Sequence, residues 1–295
     1  MPNLNIFSKR VKRSKSLSAA IRRRLWHYLF LPTQSKMGSF FLDPMDHIGS
    51  ERLIMGERYE QIYLEQLECL IKLLDLKNGI AIDAGANIGN HSCWFTSQFA
   101  HVFSFEPGKI AALVLEANLL KTNTNNWEIF KCALGDKSAF GKLSVIDQVN
   151  LGSSQVIMVA DNQSEFEVLR GDDVLRNHEL AAKLPVTLMK IDVEGGELSV
   201  LQGFQAFIEK DQPLICIEAL DEKQWNLISA FLKKCGYVFF MTPTSSHYSG
   251  KANSRITSLV SGIRLGMSEL KDEFPKGGYG MIFCLSNKHL LMLPN

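Results

Sequence analysis

The feature that most constrains the fold is a short apolar run that leads into a glycine-containing turn and then a helix, GIAIDAGANIGNHS, residues 79–92. A strand that ends in such a turn has to be followed by a crossover helix, and the pattern recurs. Strands are predicted at 79–83, 102–106, 127–134, 186–192, 213–219, 237–241 and 279–286, with a further strand at 142–146. Helical spacing appears at 59–74, near 89–98 and at 110–120, and a helix is expected after each of the strands at 186–192 and 213–219. In the first helix, Ile62, Tyr63, Leu67, Leu70, Ile71 and Leu74 form the apolar face, with Glu60, Glu65, Glu68 and Lys72 between them. Alternation of β-branched strands with helices predicts an α/β fold, a mostly parallel sheet covered by helices on both faces. Ligands of such sheets bind at the carboxyl ends of strands, where strand order reverses. Asp83, Glu106, Asp192 and Glu218 stand at four such ends.

Charge divides the 295 residues unevenly. Residues 1–42 hold nine of the 32 Lys and Arg and no acid, leaving 23 bases against 31 acids in the rest. An acidic body is a poor match for nucleic acid, whose affinity comes from cationic contacts to phosphate, so no nucleic-acid partner is expected. The reading is a basic N-terminal extension, 1–42, followed by one domain, 43–295. The segment IRRRLWHYLFLP is read first as a lead-in that packs on the body or stays solvated, second as a helix on an anionic membrane surface, and third as an organellar transit peptide. No apolar run reaches the roughly 18 to 20 residues that span a bilayer. The six cysteines are scattered singly with no CxxC pair, which suits free thiols in a reducing compartment. A cytoplasmic protein is expected, peripheral at the inner face of the membrane if the tail docks there.

In the turn itself, Gly85 and Gly89 would let backbone approach a ligand without an intervening Cβ, and the helix opening near Gly89 or Asn90 offers free N–H groups. Twenty-three residues after Asp83, Glu106 closes the second strand before Pro107, placed to accept both ribose hydroxyls of an adenosine ligand. The dinucleotide pattern G-x-G-x-x-G has Asn87 in place of its middle glycine here, and Asp83 would repel a pyrophosphate but attract a sulfonium-bearing amino acid. S-adenosylmethionine therefore fits better than NAD, and an NAD oxidoreductase is the runner-up. A non-catalytic module that keeps the fold and docks on membranes is the alternative of a different class.

Taken together, AIDAGANIGNHSCWF, FSFEP, KCALGD, MKIDVEGGELSVLQGF and the IE at 217–218 resemble the FkbM family of methyltransferases, over about 59–240. The resemblance implies a Rossmann-like class I methyltransferase fold with a seven-stranded sheet, S-adenosylmethionine as donor, and O-methylation, often of a sugar hydroxyl on a glycan, glycolipid or metabolite precursor. It assigns Asp83, Gly85, Asn87 and Gly89 to the methionine-side loop, with Asn90 next to it, Glu106 with Pro107 to the ribose, and Ala133, Leu134 and Asp136 to the adenine.

A hydroxyl acceptor needs a base or a metal to take up its proton. Asp192, at the end of KIDVEG, is the first choice for the base. Glu194 could assist, or the two could hold a divalent cation, although two carboxylates without a third ligand do not establish a metal. Acids at this position also cap helices, a reading that applies to Asp192 and more strongly to Glu197. His91 is a further candidate base. Glu218, Asn150 and Ser153 are acceptor-side candidates, the last two in the polar loop NLGSS. The segment 242–278 exceeds ordinary loop length and is read as a lid or insertion. The sequence does not indicate an oligomeric state.

Overall fold

The structure is a computed structural model that describes residues 40–41, 59–145, 154–243, 267–270 and 279–293. Asn150, Ser153, nearly all of the basic extension and most of 242–278 lie outside the described residues. Helix α1 (Gln61–Leu73) precedes β1 (Ile80–Ala84), α2 (Asn90–Phe95), β2 (His101–Phe105), α3 (Lys109–Leu120) and β3 (Trp127–Phe130). The chain then forms β4 (Ala133–Leu134), β5 (Ala139–Val145), β6 (Ser154–Met158) and β7 (Phe166–Leu169). Two short helices, α4 (Gly171–Leu175) and α5 (Glu179–Lys183), lead to β8 (Val186–Ile191), α6 (Glu197–Gly203), α7 (Gln205–Asp211) and β9 (Leu214–Ala219). The remainder is α8 (Glu222–Lys234), β10 (Tyr237–Pro243), β11 (Met267–Glu269), β12 (Tyr279–Ser286) and α9 (Asn287–Met292).

The main sheet has the order β11-β10-β12-β9-β8-β1-β2-β3. β3, β2, β1, β8 and β9 pair in parallel, while β12 runs antiparallel to both β9 and β10. These are the seven strands of a Rossmann-like sheet, and β11 adds an eighth on the outer edge of β10. That edge strand lies within the segment read from sequence as a lid. The order reverses at β1, which pairs with β2 on one side and β8 on the other. The switch point predicted for a ligand is therefore the crease between the ends of β1 and β8.

Burial follows from strand composition. All five residues of β1 are buried, Asp83 included, and β8 and β9 are almost as enclosed. One face of the sheet packs Ile80, Ile82, Phe103, Phe105, Met189 and Ile191 against Val200, Leu201, Phe204 and Ile208. The other packs Ala81, Val102, Leu188 and Leu214 against Leu67, Leu70, Ile71 and Phe95. Two details of α1 differ from its sequence pattern. Ile62 is 59% exposed, and Glu60, read as a solvent position, is turned inward against His91.

The run WEIFKCAL, read as one strand, breaks at Lys131-Cys132 and serves two sheets. Glu106 N–H donates to the Phe130 carbonyl as the last rung beside β2. Beyond that rung β2 offers no partner, so Ala133 and Leu134 pair with Val168 and Leu169 in a second sheet of order β4-β7-β5-β6. Ala133, Phe166 and Val168 form its small core.

The glycines of the turn have a reason within the chain itself, beside the one read in the sequence. Gly85 has φ +77°, and a Cβ there would lie 1.8 Å from the Asp192 carbonyl oxygen. At Gly89, φ is +93° and a Cβ would lie 2.7 Å from Leu115 Cδ1. The close approach is between parts of the chain itself, across the switch point and onto α3. Gly85→Ala is accordingly expected to cost about 3 kcal/mol or more of unfolding free energy. Gly196→Ala, where the nearest atom is 3.4 Å away and φ is not positive, should stay within about 0.5 kcal/mol of the parent. Urea unfolding of the two variants makes the comparison, and equal midpoints would contradict this account of Gly85.

Candidate functional site

Register places Ser104, Asp83 and Lys190 in one row across β2, β1 and β8. Their side chains form a polar chain beneath the switch point. The Ser104 hydroxyl donates to Ser92 Oγ at 2.9 Å, and the Ser92 hydroxyl donates to Asp83 Oδ2 at 2.6 Å. Lys190 Nζ lies 3.2 Å from Asp83 Oδ1 and 3.3 Å from Asp192 Oδ2, and donates to the Gly85 carbonyl at 2.9 Å. A lysine that is 2% exposed has to be compensated to keep its charge. Burial alone would strip its proton, but the carboxylates of Asp83, Asp192 and Glu60 outweigh it and hold Lys190 well above the ordinary lysine range.

This changes the reading of Asp83. The sequence argument had its charge facing a ligand, whereas the carboxylate is fully buried and engaged by Lys190 and Ser92. Its repulsion of a pyrophosphate therefore drops out as an argument against NAD. What the turn presents outward is backbone. Asn87 adopts φ +48° and its N–H donates to Glu106 Oε2 at 2.8 Å, while Gly108 N–H donates to Oε1 at 2.7 Å. Glu106 is thus strung between the loops after β1 and β2, with Pro107 half-buried beside it. Each carboxylate oxygen keeps a further lone pair for an incoming hydroxyl. Burial pushes the Glu106 carboxyl up to about 6, even though both N–H donors favour its charged form.

Carboxylates gather at the ends of β8 and β9. Asp192 is partly open, its side chain 37% exposed. Glu194 sits at φ +55°, and burial, then the charges of Asp192 and Glu197, push its carboxyl up to about 7. Glu218 is half-buried, and burial together with Asp192, Glu194, Glu197 and Glu60 raises it to about 8. Glu197, read as a cap, opens α6 but ties down the loop before it: it is fully buried, Oε1 accepts from Gly195 N–H at 2.9 Å and Val193 N–H at 3.3 Å, and Oε2 accepts from Gln224. Asp192 instead pairs with Lys190.

The start of α1 closes over this group. Asn90 Nδ2 donates to the Tyr59 carbonyl at 3.0 Å, and His91 Nε2 lies 3.1 Å from Glu60 Oε2. His91 is 6% exposed and committed to that contact. The Tyr63 hydroxyl is raised by burial, then by the charges of Glu60 and Glu218, and a Cβ on Gly280 would lie 3.0 Å from its oxygen. Glu60, Tyr63 and Lys190 went unassigned in the sequence reading. Lys190 alone carried a usable signal, as a charged residue inside an otherwise apolar strand.

The structure does not draw every candidate into this crease. Ala133 and Leu134 belong to the second sheet. Asp136 Oδ1 accepts from the Ser199 hydroxyl at 2.8 Å, and the residue lines a groove of about 530 Å³ with Arg170, Gln202, Phe231 and Lys234, away from the residues that end β1 and β2. Among the described residues no three His, Cys, Asp or Glu side chains converge as a metal site would require. Among the same residues no helix is long and apolar enough to cross a membrane.

Comparison with known proteins gives this geometry a lineage. The family described as Methyltransferase FkbM domain matches residues 83–239, from the buried Asp83 to β10. Methyltransferase 1 of Beauveria bassiana is 25% identical over 166 residues, covering 50% of this chain and 60% of that protein. Methyltransferase sdnD of Sordaria araneosa is 26% identical, covering 58% and 70%. Hexuronic acid methyltransferase AglP of Haloferax volcanii is 25% identical, covering 56% and 63%. The chain thus spans 60% of the length of the first of these relatives. Among solved structures, methyltransferase FkbM from Methylobacillus flagellatus KT is 17% identical with a TM-score of 0.44, covering 90% of this chain and 60% of that one. Nothing in these matches supports the oxidoreductase or non-catalytic readings. With a family match over more than half its length, and with the switch-point turn, the β2 acid and the KIDVEG strand end all inside it, the chain belongs to the FkbM methyltransferase family.

Proposed function

We propose that the protein transfers a methyl group from S-adenosylmethionine to an oxygen, that of a sugar hydroxyl on a glycan, glycolipid or metabolite precursor. The observation that carries this reading is the crease between β1 and β8, with Glu106 on one flank and a surplus of carboxylates on the other. Glu106 holds open lone pairs at the end of β2, as a ribose diol requires. Asp192, Glu194 and Glu218 outnumber Lys190, as suits a cationic sulfonium. The similarity to a hexuronic acid methyltransferase supports a sugar as acceptor.

When bound, the donor supplies an electrophilic methyl carbon: the acceptor oxygen bonds to it, the carbon–sulfur bond breaks, and sulfur keeps the electron pair. The chain's part is to align the acceptor and take its proton. Asp192, steadied by Lys190, accepts the hydrogen bond of the attacking hydroxyl. Glu218 and Glu194, whose proton affinities already lie near neutrality, store the proton. Glu60 and Glu218 both act on the Tyr63 hydroxyl, which puts Tyr63 on the same flank of the crease.

Three outcomes test this. In calorimetry S-adenosylhomocysteine should bind the parent protein, and Glu106→Ala should weaken binding at least about tenfold through loss of a charge-assisted pair. No binding to the parent would remove the donor assignment. With a hexuronic acid glycoside as acceptor, Asp192→Asn should lower kcat about 100-fold or more while leaving S-adenosylhomocysteine affinity nearly unchanged. Undiminished turnover would take Asp192 out of the mechanism. The third outcome is a pH dependence. Glu194 and Glu218 have raised affinities of about 7 and about 8, so they ionise as pH rises through that range and a cationic ligand gains attraction. S-adenosylmethionine affinity should therefore rise from pH 6 to 9, S-adenosylhomocysteine affinity should rise less, and Glu218→Gln should flatten the difference. Parallel pH profiles for the two ligands would contradict the carboxylate assignment.

A further inference from the structure

Gly280 lies in β12, where its φ is not positive and the backbone gives no reason for a glycine. Glycine weakens the interior of a strand and often marks a place where another part of the molecule comes close. The group that comes close here is the side chain of Tyr63, from the first turn of α1. A Cβ on Gly280 would lie 3.0 Å from the Tyr63 hydroxyl oxygen, but 3.8 Å from Cζ and 4.0 Å from Cε2. Alanine would fit against the ring alone, so the glycine makes room for the hydroxyl.

Among the described residues no hydrogen bond holds that hydroxyl, although the tyrosine is half-buried. Its place in the fold shows what it can reach. Ala219, next to Glu218 at the end of β9, pairs with Tyr279, the residue before Gly280. The hydroxyl therefore stands over the join of β9 and β12, and seen from Glu106 at the end of β2 it lies beyond Asp192 at the end of β8. Neighbouring strands are about 4.8 Å apart, so a molecule whose reacting hydroxyl meets Asp192 comes to Tyr63 within one or two strand widths. The groups at these strand ends differ in what they offer. Asp192, Glu194 and Glu218, once ionised, accept hydrogen bonds and cannot donate. Lys190 is spent on Asp83, Asp192 and the Gly85 carbonyl. Burial, then the charges of Glu60 and Glu218, keep the Tyr63 phenol protonated, and it supplies the donor that the carboxylates lack.

We propose that the Tyr63 hydroxyl, in the room left by Gly280, binds the methyl acceptor by donating a hydrogen bond to a second hydroxyl oxygen of it while the first meets Asp192. The acceptor is then a polyol, in which one hydroxyl reacts and a neighbouring one decides which. This inference deepens the methyl-transfer reading and rests on it.

Steady-state kinetics of the full chain test it, with S-adenosylmethionine as donor and methyl glucuronoside or its monodeoxy analogues as acceptor. Tyr63→Phe should raise the acceptor KM about tenfold, as loss of one hydrogen bond implies, and leave kcat within about twofold. S-adenosylhomocysteine affinity and the thermal midpoint should not change, because the ring keeps its packing. One monodeoxy analogue should lose about tenfold in kcat/KM with the parent and nothing further with Tyr63→Phe, since both changes remove the same bond. Gly280→Ala should raise KM by pressing on the hydroxyl, and should be silent when combined with Tyr63→Phe, where the ring stays at ordinary contact distance. With an active parent, an unchanged KM for Tyr63→Phe, or an equal loss on every analogue, overturns this inference and leaves the methyl-transfer reading standing. A parent that binds S-adenosylhomocysteine but methylates none of the glycosides removes the sugar acceptor, and this inference with it.

Discussion

The site depends on a lysine placed where lysine is costly. Lys190 is held by Asp83 from one side of the switch point, by Asp192 from its own strand end, and by the Gly85 carbonyl from the turn. Removing Asp83, the fully buried partner, would break the pair inside the core, an error that costs several kcal/mol, whereas Asp192 is partly open to water and its loss costs less. The contact therefore fixes the relative position of β1 and β8 at the point where strand order reverses. Ser92 and Ser104 extend the network to α2 and β2, so three neighbouring strands and a helix share one polar row.

Two backbone arrangements follow from that row. Gly85 brings the turn against the Asp192 carbonyl, and Asp192 N–H donates to the Ala84 carbonyl at 3.1 Å, so the loops after β1 and β8 are locked to each other by the chain's own backbone. Glu106 then bridges the loops after β1 and β2 through Asn87 and Gly108. Contacts that a chain makes with itself need not be supplied by a ligand, and a loop held by them costs less entropy to order on association.

The architecture was legible because it depends on local pattern. Apolar runs, the β-α alternation and the strand ends at Asp83, Glu106, Asp192 and Glu218 could all be read in order, and the strand limits agree within a residue or two at most positions. What could not be read depends on neighbours distant in sequence. Lys190 and Asp83 are 107 residues apart, and nothing in either segment announces that they neutralise each other. Glu60 fell on the solvent side of a helical pattern, yet the left-handed turn at that residue points it to His91. WEIFKCAL has the composition of one continuous strand, and only the end of β2 explains why it divides between two sheets. Asp136 was placed by resemblance beside an adenine, while its own contacts lie with Ser199.

The carboxylates at the ends of β8 and β9 are of one piece with the buried lysine. One cation cannot offset Asp83, Asp192, Glu60, Glu194 and Glu218 together, and burial, with that uncompensated charge added to it, raises the proton affinity of Glu194 and Glu218. On the proposed reading, a sulfonium in the crease supplies the missing positive charge and favours the ionised forms of both residues. The carboxylates would then be most able to accept a proton when donor is present and the acceptor hydroxyl has to lose one. With a neutral sulfur in its place, the same carboxylates would regain their raised affinity for protons. The electrostatic strain around Lys190 would in this way tie the availability of the base to the presence of the methyl group.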